Sequence, residues 1–166
     1  MKELLLQFAA YNLWANQQLL SVIIALPAEK QTATIVSSFD SLHKTIMHLW
    51  DAESIWWQRL KLQERIDRPS EIFEGNTVEA AHKLMQQNSQ WQEWLQQAPE
   101  RNLQHVFQYQ NSKKEQFKQP VYEMLLHMFN HGTYHREQLV TMLRQLGAEK
   151  LPATDFIVWT RKGGLK

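Results

Sequence analysis

The sequence predicts an all-α fold, an antiparallel four-helix bundle that forms one domain over residues 1–166. Four long segments repeat apolar residues at steps of three and four, which is the period of an amphipathic helix. Strand character is confined to one short stretch, residues 103–119. A chain of 166 residues suits one sizeable core and is short for two.

The first helix is expected over residues 3–25, because Pro27 stops its apolar repeat. Two polar residues, Asn12 and Asn16, interrupt this otherwise apolar helix. Residues 27–34 are expected to form a loop.

The second helix is expected over residues 37–62, and Glu53 falls among its apolar positions. An acid on an apolar stripe is either paired or functional. The connection that follows, residues 63–76, is longer than the usual two to eight residues of a bundle. We expect this connection to cover one end of the core.

The third helix is expected over residues 77–98, before Pro99. Its start has the chemistry of a capping box, with Asn76 as the cap and Glu79 three residues later. After it, residues 103–119 resemble a short hairpin.

The fourth helix begins with Pro120 in its first turn and ends just before Gly147, a usual residue after a helix C-terminus. One last short helix, capped from residues 152–155, is expected to run through Trp159.

Three histidines of the fourth helix, His127, His131 and His135, are spaced four residues apart. A helix places residues i and i+4 on one face, so two of these imidazoles can hold one ion. The outer two are separated by about 12 Å of helical rise, too far for metal–nitrogen bonds of about 2.0–2.1 Å. The apolar residues cluster around His131 and His135, whereas His127 lies about 80° to one side. The pair is therefore either a half-built metal site or two hydrogen-bonded core histidines.

The second helix offers His43 and His48 as further ligands. They are about 140° apart around a helix, so both cannot face one ion, and the periodicity does not choose between them. The sequence has no cysteine, so a metal must use histidine, carboxylate or water.

Four stretches resemble the DinB family of DNA-damage-inducible proteins, and they stand in the family's order over nearly the whole chain. They are residues 11–16 (YNLWAN), 41–53 (SLHKTIMHLWDAE), 130–136 (NHGTYHR) and 151–155 (LPATD).

The resemblance implies a four-helix bundle, often a homodimer, with one divalent ion held by His48, His131 and His135. Zinc and nickel both suit an all-nitrogen site. Relatives in the wider superfamily include transferases and a maleylpyruvate isomerase that use mycothiol or bacillithiol. A low-molecular-weight thiol is therefore the second cofactor that the resemblance suggests.

An open position beside three imidazoles admits water or a thiolate. We expect a thiol-dependent S-transferase acting on a small molecule, and the alternatives are a metal-dependent hydrolase and a non-catalytic stress-response module. Glu53 is the first candidate for the catalytic acid or base, with His127 behind it. Alternatively, Glu53 pairs with Arg136 or accepts from asparagine or tryptophan side chains of the first helix, and His127 packs beside a ligand.

Three residues of the first helix are candidates to reach the site and contact a cofactor there. They are Tyr11, Asn12 and Asn16.

Charge and hydropathy argue against nucleic acid and membrane as partners. Lys and Arg total 18 against 17 Asp and Glu, so no basic footprint is present. No run of about 18 apolar residues occurs, and residues 1–7 do not have the form of a signal peptide. We therefore expect a cytoplasmic protein.

Overall fold

The computed structural model describes residues 1–165, in which eight helices and one two-stranded sheet follow one another. The elements are α1 (Lys2–Ile24), α2 (Ala28–Thr32), α3 (Leu42–Leu60), α4 (Pro69–Ile72), α5 (Thr77–Gln97), α6 (Glu100–Gln104), β1 (Val106–Gln110), β2 (Gln116–Pro120), α7 (Val121–Gln145) and α8 (Phe156–Arg161). Of the four long helices, α1 and α3 each pack against both α5 and α7. The predicted all-α four-helix bundle is confirmed. None of the helices described is long and apolar enough to cross a membrane.

Each long helix has one antiparallel and one parallel neighbour. The antiparallel order predicted from the sequence holds for α1 with α5 and for α3 with α7, whereas α1 with α7 and α3 with α5 run parallel. The antiparallel directions follow from the contacts Lys2–Ala98 and Asn16–Asn88 for α1 with α5, and Thr45–Met142 and Trp56–His127 for α3 with α7. The parallel directions follow from Phe8–Phe129 and Asn12–Arg136 for α1 with α7, and His43–Thr77 and Glu53–Asn88 for α3 with α5.

The long connection between α3 and α5 makes their parallel packing possible. Because α5 begins beside the start of α3, residues 61–76 must return along the length of α3. Gln58 Nε2 holds this segment by donating to Asp67 O at 2.8 Å, and Asp51 Oδ1 accepts from Ser70 N at 2.8 Å. The connection therefore lies along the side of α3 instead of covering one end of the core.

The second long helix begins later than predicted. Residues 37–41 lie outside α3, because Ser41 has an extended backbone and its Oγ accepts from Lys44 N at 3.2 Å, which caps the first turn. The predicted loop over residues 27–34 also contains one short helix, α2.

Several later elements lie where they were predicted, although Pro120 precedes the first turn of α7 and residues 103 and 104 belong to α6 instead of the hairpin. The capping box is present, since Asn76 Oδ1 accepts from Glu79 N and Glu79 Oε2 accepts from Asn76 N. The hairpin is an antiparallel pairing of β1 with β2. Gly147, with φ of +90°, follows the end of α7, and α8 continues two residues beyond Trp159.

The hydrophobic core has two halves, one toward each end of the bundle. One half includes Leu19, Ile23, Leu42, Ile46, Leu84, Leu139 and Leu143, and the other includes Leu5, Ala9, Trp91, Leu95, Leu125 and Phe129. On every long helix, one or two buried polar residues fall between the members of the two halves. The most deeply buried of these residues are Asn12, Asn16, Glu53, Asn88 and Arg136, each at most 2% exposed.

Those five side chains form a closed ring of hydrogen bonds that joins all four long helices. Arg136 Nη1 donates to Asn12 Oδ1 at 2.6 Å and to Asn16 Oδ1 at 3.2 Å. Asn12 Nδ2 donates to Glu53 Oε1 at 3.0 Å, and Asn88 Nδ2 donates to Glu53 Oε2 at 2.5 Å. Asn16 Nδ2 closes the ring by donating to Asn88 Oδ1 at 2.8 Å. Because a guanidinium only donates and a carboxylate only accepts, all three amides must relay hydrogen bonds from Arg136 toward Glu53.

Gly132 allows the ring to form against the backbone of α7. A Cβ atom at this position would lie 2.9 Å from Asn12 Oδ1 and 3.2 Å from Arg136 Nη1. Any larger residue would therefore push these two side chains apart. The close approach offsets the roughly 1 kcal/mol by which glycine weakens a helix interior relative to alanine.

The carboxyl group of Glu53 should make the stability of the fold depend on pH. Burial raises its pKa to about 7, although hydrogen bonds from Asn12 and Asn88 and the charge of Arg136 oppose the rise. The folded protein thus binds this proton more tightly than the unfolded chain does. The resulting stability is fully present below about pH 4.5 and is lost as the pH rises through about 7.

We therefore expect Glu53→Gln to remove part of the pH dependence of the unfolding free energy. Between about pH 5 and about pH 8, the unfolding free energy of the wild type should fall by roughly 2–3 kcal/mol more than that of the variant, as measured by urea denaturation. Glu93→Gln, on the exposed face of α5, is the matched control and should keep the wild-type slope. Equal slopes for wild type and Glu53→Gln would contradict this account of the buried carboxyl group.

Candidate metal centre

Three histidine side chains meet at the seam between α3 and α7. His48 of α3 places its Nε2 atom 3.1 Å from the Nε2 atoms of both His131 and His135, which are 3.0 Å from each other. His135 is buried, and His48 and His131 are partly buried. The structure thus brings together the three residues that the family resemblance selected, whereas His43 bonds to Thr77 Oγ1 instead.

The antiparallel packing of α3 against α7 explains this convergence. His131 and His135 are one turn apart on the same face of α7. His48 faces both of them because α3 is held at a fixed position along the axis of α7. The polar ring supplies that constraint, since Glu53 lies five residues after His48 and Arg136 directly follows His135.

Hydrogen bonds alone cannot satisfy these three nitrogen atoms. Each neutral Nε2 atom either donates through N–H or accepts through its lone pair. In a triangle of three such atoms, at least one contact must join two donors or two acceptors. A cation shared by three lone pairs removes this conflict, so the arrangement suits metal ligation better than a hydrogen-bonded cluster.

The spacing of the nitrogen atoms also fits a divalent ion. Metal–nitrogen bonds of about 2.0–2.1 Å place two ligand atoms about 2.9 Å apart at a right angle and about 3.3 Å apart at the tetrahedral angle. The observed separations of 3.0–3.1 Å lie between these limits. Three ligands at such angles occupy one side of an ion and leave its other side open.

The environment keeps the imidazoles neutral, as ligation requires. Burial and the nearby His135 lower the pKa of His48 to about 4. Burial and the neighbouring histidines also lower the pKa of His131 to about 4. Burial lowers the pKa of His135, against the opposing hydrogen bond to Gln138. All three imidazoles are therefore neutral near pH 7, and each keeps one nitrogen lone pair that can bind an ion.

Gln138 and Phe39 orient two of the imidazoles, and sequence reasoning did not find either residue. His135 Nδ1 lies 2.8 Å from Gln138 Oε1, which only accepts, so Nδ1 carries the proton and Nε2 keeps its lone pair. The Phe39 ring stacks on His48 with centroids 4.1 Å apart. Gln138 could have been found from its position three residues after His135, whereas Phe39 reaches the site from a connection.

A cavity of about 360 Å³ opens beside the cluster, lined by His48 and His131. His127 lies on the same wall, exposed, with its ring 6.0 Å from that of His131 and 5.7 Å from that of Trp56. A second cavity of about 510 Å³ lies on the other side of His48. The volumes are those of small-molecule sites, which span about 300–1,000 Å³.

The other predicted site residues lie away from these two cavities. Glu53, Asn12 and Asn16 belong to the buried polar ring, and Tyr11 donates its hydroxyl to Thr154 O at 2.7 Å. None of these four residues lines either cavity beside the histidines. Glu53 thus makes the contact that was predicted from the sequence as the alternative to catalysis, because its carboxylate accepts a hydrogen bond from an asparagine of the first helix.

Comparison with known proteins agrees with the fold and with the family motifs. Residues 1–162 match the model of the DinB family. Protein DinB of Bacillus subtilis (strain 168) is 32% identical over 155 residues, which are 88% of this chain and 87% of that protein.

Two solved structures have the same fold at low sequence identity. A DinB-like protein from Bacillus subtilis superposes with a TM-score of 0.66 at 13% identity, over 90% of this chain and 98% of that one. A DinB-like protein from Bacillus cereus ATCC 10987 superposes with a TM-score of 0.64 at 17% identity, over 84% of this chain and 90% of that one. From the family match over nearly its full length and the 32% identical relative, the chain belongs to the DinB family.

Proposed function

We propose that this protein is a divalent-metal-dependent enzyme whose ion is held by His48, His131 and His135. The observation that supports the proposal most directly is the triangle of Nε2 atoms 3.0–3.1 Å apart, which hydrogen bonding cannot satisfy. Zinc and nickel are the ions we propose, because three imidazole nitrogens suit both. A purely structural site would be closed by a fourth ligand, whereas this cluster opens on a cavity.

The reaction that we propose is substitution, in which the sulfur of a low-molecular-weight thiol forms a bond to an electrophilic carbon of a small molecule. The bond from that carbon to its leaving group breaks, the leaving group departs with the bonding electrons, and the thiol proton passes to His127 or to water. A divalent ion at this position would supply Lewis acidity and lower the pKa of a thiol or water that it binds. Three neutral imidazoles do not compensate the charge of such an ion, which favours an anionic partner such as a thiolate. The resemblance to thiol-dependent proteins of the wider superfamily supports the choice of thiol over water.

The side chains around the cavity have separate roles in this proposal. We propose that His127 exchanges a proton with a reactant in the cavity, and its position on the same cavity wall as His131 supports this role. The side chains of Trp56 and Ile55 form an apolar part of the cavity wall and limit the entry of water into the cavity. Gln138 keeps the His135 lone pair aimed at the cluster. Assembly as a homodimer, which the family resemblance implies, remains a prediction.

We expect alanine at any one of His48, His131 or His135 to abolish metal retention, because two imidazoles leave the ion with too few ligands. Protein reconstituted with zinc or nickel, desalted and measured by elemental analysis should hold about one ion per chain in wild type and below about a tenth in each variant. Gln138→Leu should weaken binding about 10- to 100-fold, as losses of ligand-orienting groups do.

His43→Ala is the matched control for the metal-retention experiment. This residue lies on the same helix but bonds to Thr77 Oγ1, so the variant should retain the ion. Loss of metal from His43→Ala together with its retention in His48→Ala would overturn the ligand assignment.

We expect the cobalt-substituted protein to develop a sulfur-to-metal charge-transfer band when a low-molecular-weight thiol is added, because an open position lets the ion bind and deprotonate it. Absorption titration with several thiols, glutathione among them, measures the effect. The His131→Ala variant is the control and should give no band. Displacement of water by carboxylates or phosphates without response to any thiol would instead favour a hydrolase. If the bound ion responded to no thiol, carboxylate or phosphate, the result would favour a non-catalytic module.

A further inference from the structure

The cavity beside the histidines carries two arginine side chains on its outer wall. Arg59 projects from the last turn of α3, and Arg68 comes from the returning connection that precedes α4. The same cavity is bounded by His48 and His131 on one side and by Asn111 at the hairpin turn. One small volume therefore joins two guanidinium groups to the candidate metal ligands.

Arg59 is held in place by aromatic and backbone contacts. Its guanidinium carbon lies 4.5 Å from the ring centroid of Trp56 and 5.0 Å from that of Tyr109, and its Nη2 atom donates to Gln110 O at 2.8 Å. Its Nε atom is buried and has no hydrogen-bond partner within the described part of the chain. Burial lowers the pKa of Arg59, and the positive charge of Arg68 acts in the same direction. A fixed guanidinium with a second cation nearby thus borders the cavity.

The carboxylates near these arginines balance only part of their charge. Arg68 Nε is 3.9 Å from Glu71 Oε1, beyond hydrogen-bond distance, and both side chains are about half exposed or more. Asp51 is the acidic residue that lines the cavity, and both of its oxygen atoms accept from Ser70. Two guanidinium groups and one carboxylate, that of Asp51, line the cavity, so with the histidines left out the lining keeps an excess of one positive charge.

We propose that this cavity binds a small organic anion, whose carboxylate or phosphate group pairs with Arg59 and Arg68 while its other end faces the histidine cluster. Guanidinium groups match both anions with paired, charge-assisted hydrogen bonds. Trp56 and Ile55 form the wall between the two ends, so a short apolar body suits the middle of the ligand. The inference rests on the proposed function and names the substrate class of the same site.

The test uses full-length, metal-loaded protein and isothermal titration calorimetry. The probes are the dicarboxylates from succinate to suberate, each paired with the monocarboxylate of equal chain length. A dicarboxylate of matching length should bind about tenfold or more tightly than its monocarboxylate, because only the former reaches both the ion and the arginines. The preference should shrink as salt is added, since Arg68 is exposed. A parallel series of ligands, in which a phosphate replaces one of the two carboxylates, identifies which anion the arginines prefer.

Variants separate the arginine subsite from the ion. Arg68→Gln should lower the dicarboxylate preference about three- to tenfold, because its charge is partly screened. Arg59→Lys should also lower it, since lysine keeps the charge but loses the planar pair of donors. Arg65→Gln is the control, because Arg65 is exposed and pairs with Asp67, and it should keep the wild-type preference. Thermal unfolding of each variant checks that the hairpin and α3 remain packed.

The outcomes distinguish failure of the subsite from failure of the proposed function. A protein that holds one ion but binds dicarboxylates and monocarboxylates equally would overturn the anion subsite alone. A preference that survives in both Arg68→Gln and Arg59→Lys would overturn it as well. A protein that retains no ion after reconstitution would overturn the proposed function instead.

Discussion

The closed ring between Arg136 and Glu53 is the interaction on which the rest of the structure depends. It lies between two apolar halves of the core and joins all four long helices through five buried side chains. An apolar seam permits helices to slide by a turn at modest cost, whereas a displaced ring would leave buried donors and acceptors unpaired at about 1–3 kcal/mol each. The ring therefore sets the heights of α3 and α7 relative to each other, and with them the meeting of His48 and His135.

Structural and chemical roles are consequently divided between two neighbouring sets of residues. Glu53 and Arg136 are linked through asparagines and are closed to solvent. The histidines, on the seam beside them, open on a cavity whose far wall is positively charged. Arg59 of α3, Arg68 of the returning connection and Asn111 of the hairpin turn form that wall. The long helices thus supply the ligands, and helix side chains together with the connections supply the surface that a substrate would contact.

The sequence predicted most of what depends on local chemistry. The helices followed from apolar periodicity, the start of α5 from Asn76 with Glu79, and the pairing of His131 with His135 from their spacing on one face. His48 came from the family resemblance, because it and His43 flank the apolar arc of α3. The parallel packing of α3 with α5 could not be predicted, since it depends on the path of residues 61–76. The hydrogen bond from Asn88 to Glu53 could not be predicted either, because the two residues are 35 positions apart and no helical pattern relates them.

The central claim is that three imidazoles hold one divalent ion at the seam of α3 and α7, and anomalous X-ray scattering tests it most directly. Crystals of protein reconstituted with zinc or nickel would be measured on both sides of the absorption edge of the metal. The account predicts one strong anomalous peak, about 2.0–2.1 Å from the Nε2 atoms of His48, His131 and His135. A peak at other side chains, or none at the cluster in fully reconstituted protein, would contradict it.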